Sequence, residues 1–265
     1  MSGAGQGQPV RGATMDRMRN RGAVRTAVAA AACGVLLMTL SACGGSGGGD
    51  GTGHKDEAGS GGSRHEGRPA VDLKRIPDVG DRLQSQIPKS ARQVVAVYGD
   101  GKDSGDSTVV LYSKSGDTWD KTRSWPAHNG KKGWTADHHE GDKRSPIGVF
   151  TLTDAGGVLA DPGAKLPYTQ AASFQAPHYW AESHWHDFDY VIAIDYNRVK
   201  GTAPNDPTRP EGQTKGGSIW LHMDHGSGTS ACVSLSKSGM EYLLRTIDPK
   251  RHPVVVMGDK VSLES

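Results

Sequence analysis

The hydrophobic pattern of the C-terminal two thirds of the chain has a period of two. Val94–Tyr98, Thr108–Tyr112, Gly148–Leu152, Tyr190–Asp195, Ser218–His222 and Val254–Met257 are short β-branched or aromatic runs bounded by Gly, Asp, Asn and Pro, the composition of half-buried strands. One segment has the helical period instead. Met240, Leu243, Leu244 and Ile247 follow i, i+3, i+4, i+7, Ser238 to Glu241 fits a capping box, and Pro249 stops the run. A weaker helical pattern covers Ile76 to Gln86. The pattern predicts a mainly β domain with a few short helices.

Alternation also gives side-chain direction. In Ser218–His222, Ile219 and Leu221 take one face while Ser218, Trp220 and His222 take the other. In Cys232–Leu235, Val233 and Leu235 face one way and Cys232 and Ser234 the opposite. His222 and Cys232 therefore both fall on a non-core face, joined through the Gly-rich segment Gly226-Ser-Gly228. His225 falls on the face opposite to His222 if the strand continues.

The N-terminal third is built differently. Arg17, Arg19, Arg21 and Arg25 precede an apolar stretch, Ala27–Leu40, too short to span a bilayer stably, which predicts an export signal. Leu40-Ser-Ala-Cys43 resembles the bacterial lipobox, whose cysteine is diacylated and becomes the mature N-terminus. Residues 1–14 carry no such signature, which leaves Met15 as an alternative start. Eleven of the 27 residues in 44–70 are Gly, a composition that cannot bury enough apolar surface to offset chain entropy. Such a tether spans on the order of 30 Å. The expected organisation is a lipoprotein signal peptide at 1–42, the lipidated cysteine and linker at 43–70, a lead-in at 71–93 and the catalytic domain at 94–265. The expected location is extracytoplasmic, on the outer face of the bacterial cell membrane.

Charge and cysteine count narrow the chemistry. The chain carries a formal +2, but residues 1–42 hold five Arg against one Asp, so the remainder has 26 basic and 28 acidic residues. No basic excess remains to favour nucleic acid, and a monomer is expected. Of three cysteines, Cys33 lies inside the export segment and Cys43 ends it. Cys232 then has no disulfide partner. A lone exported thiol ten positions after a strand histidine reads as a nucleophile with its base, against the bland alternatives of a small buried hydrophobe and a structural histidine.

The runs Ser145–Leu152 (Ser-Pro-Ile-Gly-Val-Phe-Thr-Leu), Tyr190–Arg198 ending in Asp-Tyr-Asn-Arg, Gly217–His222 (Gly-Ser-Ile-Trp-Leu-His) and Thr229–Leu235 (Thr-Ser-Ala-Cys-Val-Ser-Leu) resemble, in that order, the L,D-transpeptidase (YkuD-type) catalytic domain. The resemblance covers roughly Val94 to Gly258. It implies a β-sandwich, no cofactor, and peptidoglycan stem peptides as substrates. It further implies Cys232 as nucleophile, His222 as base, the N–H groups of Ala231 and Cys232 as oxyanion donors, and the carbonyl of Met223 as the group that orients His222. Trp220 and Ser230 are placed with the substrate-binding set. The motif departs from the common family pattern: Ser230 stands at its His, Ala231 at its Gly and Ser234 at its Arg, which marks a divergent branch. Ser230 is expected to be a neutral packing residue. A positive φ at Ala231 would cost on the order of 1 kcal/mol.

Three other readings stay open. Water in place of an acceptor amine would give an L,D-carboxypeptidase. The pair His184-Trp-His186 resembles the ligand pair of zinc D,D-peptidases, with His138-His139-Glu140 as further donors. No third ligand stands at a family-like position, so no metal is assigned, and Phe174–Phe188 is read as an aromatic lid or wall over the cleft. Last, a lipoprotein could bind wall peptides without chemistry.

Overall fold

The structure, a computed structural model, describes residues 73–265. The segments read as export signal and linker, with Cys33 and Cys43, lie outside the described residues. The described residues form twelve strands, three short α-helices and four 3₁₀ turns, joined by loops. The strands are β1 (Gln93–Gly99), β2 (Asp106–Ser115), β3 (Thr118–His128), β4 (Trp134–Thr135), β5 (Ser145–Pro146), β6 (Gly148–Thr151), β7 (Ala155–Gly157), β8 (Tyr168–Gln170), β9 (Val191–Ala193), β10 (Trp220–Met223), β11 (Val233–Leu235) and β12 (Val254–Asp259). The helices are α1 (Asp81–Gln84), α2 (Lys237–Thr246) and α3 (Lys260–Glu264).

Ten strands form one mixed sheet in the order β6-β12-β1-β2-β3-β11-β10-β9-β7-β8, while β4 and β5 pair separately. Val95, Val97, Val255 and Met257 from one end share a cluster with Ile192, Leu221 and Val233 from the other, so the sheet bends over a common core. That is how one sheet produces the sandwich. The apolar face of α2, Met240, Leu243 and Leu244, fills the same core. The other faces of β1, β2 and β12 carry a second layer, in which Val94, Ala96, Val110 and Val256 meet Ile76, Leu83 and Leu263.

The elements differ from the sequence pattern in several places. The N-cap of α2 is Ser236, whose hydroxyl accepts from the amide of Gly239 at 3.2 Å; Ser238 lies two positions inside the helix. The helix read over Ile76–Gln86 shortens to the four residues of α1, because Ile76 and Ile87 insert as loop anchors rather than on a helical stripe. Strand β3 has no counterpart in the predicted set. Its outward residues Lys121 to Ser124 are all exposed, and Pro126 interrupts the run, so its apolar content is too sparse to stand out.

A buried charge cluster pins the segment that follows β9. The guanidinium of Arg198 donates to Asp154 at 2.9 Å and to Asp195, and through its second nitrogen to the carbonyl of Thr202 at 2.7 Å. All three ionic side chains are nearly dry. Asn197, at φ 44°, donates to the carbonyls of Gly212 and Gly216, which brings the chain back to the start of β10.

Candidate active site

The parallel pairing of β10 with β11 puts His222 level with Ser234. Continued one step back, that register sets Cys232 beside Trp220, whose amide donates to the sulfur at 3.4 Å. His222 and Cys232 thus occupy one face of two adjacent strands, offset by two residues. Both line a cleft of about 740 Å³. Their non-core face is not solvent-facing, however. Trp220 and the partly buried Cys232 pack with Phe174, Val191 and Ala193, and His222 is 2% exposed.

The segment read as a wall supplies that cover. Phe188 meets Trp220 edge-on at 5.3 Å and His222 at 5.4 Å, and Trp180 meets Phe188 at 6.2 Å. The amide of Met223 donates to the carbonyl of Asp187 at 3.0 Å, which ties this wall to the end of β10. Trp220 directs its indole N–H to the carbonyl of Pro204 at 3.2 Å.

The imidazole of His222 donates from Nδ1 to the carbonyl of Met223 at 2.8 Å, so Nε2 carries the lone pair. Burial holds its pKa below the ordinary histidine value, against an opposing pull from Asp187. The thiol of Cys232 donates to the carbonyl of Ser218 at 3.4 Å, and burial pushes its pKa up to about 12. At rest the pair is a neutral thiol and a neutral imidazole. Ser218 itself sits at φ 53°, a sparsely populated conformation for a non-glycine residue, and its hydroxyl accepts from Arg209. A Cβ on Gly217 would lie 2.1 Å from Nε of Arg209, so a larger residue there would push that side chain away from Ser218.

The turn before Cys232 is held by its carbonyls. Ser145 donates to the carbonyl of Ala231 at 2.6 Å and Thr229 to that of Cys232 at 2.7 Å. The amides of Ala231 and Cys232 donate to no protein acceptor among the described residues. Ala231 is not among the positive-φ residues, so alanine in place of glycine brings no backbone strain. Ser230 is exposed at the cleft margin, which corrects its expected packing role. Ser234, at the Arg position of the motif, is fully buried and donates to Asp224 at 2.7 Å; Asp224 also takes the Nδ1 proton of His128 at 2.7 Å.

Two expectations about histidines change. Strand β10 ends at Met223, and the chain turns at Asp224, whose amide donates to the carbonyl of Leu235. His225 therefore returns to the same cleft as His222, their rings 6.3 Å apart and 12° from parallel. The pair His184/His186 does not converge, because a 3₁₀ turn at Glu182–His184, not a strand, carries it. His184 faces the cleft and Asp187, whereas His186 is exposed and contacts Asp189. His138 and His139 pair locally with Asp142 and Asp137. Asp187 and Lys131 line the cleft without having been singled out for it, and His225 does so although alternation had put it on the opposite face; for Asp187 only its spacing from His184 on a turn carried a signal.

The family profile of the YkuD L,D-transpeptidase catalytic domain matches residues 89–256. The chain belongs to this family. Its members are peptidoglycan enzymes, and the mainly β sandwich is theirs. Among curated proteins none matches the chain. A solved structure of Bdellovibrio bacteriovorus Bd1075 is similar at 17% identity and a TM-score of 0.37, over 71% of this chain and 52% of that one. The chain thus spans about half the length of that protein.

Proposed function

We propose that the protein is a cysteine acyltransferase of the L,D-transpeptidase type. Cys232 attacks the carbonyl on the L-centre of the third stem residue while His222 takes the thiol proton. The tetrahedral oxyanion is held by the amides of Ala231 and Cys232, since preformed donors in a dry site stabilise developing charge most. The C–N bond to the terminal D-alanine then breaks, His222 returns the proton to the leaving amine, and the thioacyl group passes to an acceptor amine or water. The observation that carries this reading is the convergence of a partly buried thiol and a neutral histidine with a free Nε2 on one cleft, with two unclaimed amides at the turn that carries the thiol.

The raised thiol and depressed histidine fit activation that awaits the substrate. Proton transfer becomes favourable only as the sulfur–carbon bond forms, which protects the exported thiol between turnovers. We further infer that Cys43 is lipidated and that the protein works at the outer face of the membrane, a reading supported by Leu40-Ser-Ala-Cys43 and the Gly-rich segment after it. Incubation of the purified protein with a disaccharide tetrapeptide, read by mass, tests the reaction. Loss of D-alanine with dimer formation indicates amine as acceptor, and loss with water gain indicates hydrolysis. No product, or product that persists in Cys232→Ala, overturns the reading.

A further inference from the structure

The cleft contains three side chains that acyl transfer does not use. Nδ1 of His184 and Nδ1 of His225 lie 3.0 and 3.1 Å from the same oxygen, Oδ2 of Asp187. The donor atoms of the three residues all fall within 4.8 Å of one another. The side chains of His225 and Asp187 are 4% and 5% exposed. No Lys or Arg pairs with Asp187 among the described residues.

The two histidine contacts are unlike. That of His184 has the geometry of a hydrogen bond. That of His225 does not, and among the described residues neither ring nitrogen of His225 has a hydrogen-bond partner. A dry imidazole with both nitrogens unsatisfied is costly. Here Nδ1 stands 3.1 Å from the carboxylate oxygen without the alignment of a hydrogen bond, which leaves its lone pair free for another partner. Ligand bonds of about 2.0–2.2 Å in a tetrahedral zinc site put neighbouring donors roughly 3.3 Å apart, near the observed spacings.

We propose that His184, Asp187 and His225 bind a divalent transition-metal ion of the zinc class, with a fourth position open to the cleft. Two imidazoles and one carboxylate are the donors such an ion prefers over magnesium or calcium. Three protein ligands and one exchangeable position describe a site that takes water or a carboxylate-bearing ligand, not a closed structural site. The proposal is independent of acyl transfer, because neither Cys232 nor His222 is among the ligands.

Equilibrium dialysis of the purified protein against micromolar zinc, followed by elemental analysis, should give one bound ion per chain. His184→Ala and His225→Ala should each lower the affinity at least tenfold, while His186→Ala and Cys232→Ala keep it. Circular dichroism establishes that each variant is folded, and the one-third-exposed His184 is the substitution least coupled to packing. Zinc binding that survives both ligand substitutions, is lost in His186→Ala or Cys232→Ala, or is absent from the unsubstituted protein overturns the site and leaves the carboxylate as a partner for the histidines alone.

Discussion

At the scale of single residues the cleft is governed by desolvation. His222 is buried and held in one tautomer by Met223, and its loss removes the proposed acceptor for the thiol proton without opening a large core cavity. His222→Ala should lower acylation of the protein by a carbapenem, an inhibitor class of this family, by about 10²–10⁴-fold, with the circular dichroism spectrum unchanged. Acylation at the unsubstituted rate would move the role to another group. Cys232 gives a pH prediction whose sign follows from burial. A thiol whose pKa is pushed up to about 12 is almost wholly protonated at neutral pH, so the free protein exposes little thiolate until strongly alkaline conditions. Alkylation of Cys232 by iodoacetamide, located by peptide mass, should still accelerate between pH 9 and 10. A rate that levels off near pH 8–9, as for an ordinary cysteine, would show that the thiol is not desolvated in solution.

Among the elements, α2 and the segment after β9 set the site from opposite sides. Helix α2 follows β11 directly, and its entry is fixed by the Ser236 cap. Ser236→Ala should lower unfolding stability by about 1 kcal/mol, read as a shift in urea midpoint at constant slope. Arg198 is a larger stake. It neutralises part of a dry cluster containing Asp154 and Asp195, and the loop it pins returns to Ser218 and the start of β10. Arg198→Leu leaves two buried carboxylates uncompensated and should cost about 3–5 kcal/mol, again read from the denaturation midpoint. A cost below 1 kcal/mol would mean that water enters the cluster.

For the molecule as a whole, the bent sheet makes one fold carry two surfaces: a closed core shared by both ends, and an outer face of β9 and β10 covered by the aromatic wall. The cleft between that wall and the 224–232 return is where chemistry is expected, and the proposed lipidation of Cys43 would hold the molecule at the outer face of the membrane. Cys43→Ala should abolish incorporation of labelled fatty acid in cells and release the protein from the membrane fraction. An unsubstituted protein that incorporates no label would point to plain secretion instead.

Strands such as Val94–Tyr98 and Val254–Met257, the apolar stripe of α2, and the facing of His222 and Cys232 were legible in the sequence, because each depends on local periodicity and on which positions must leave water. The family motifs were legible for the same reason: their residues sit close together along the chain. Strand β3 was hidden, since its outer face is charged and only its neighbours β2 and β11 make it a strand. The level of Cys232 against Trp220 rather than His222 came from the parallel register, which no local pattern encodes. The convergence of His184, Asp187 and His225 was decided only by tertiary structure. It requires a 3₁₀ turn from one segment to meet the end of β10 from another, and a contact between residues about forty positions apart in sequence is fixed by packing, to which alternation is blind.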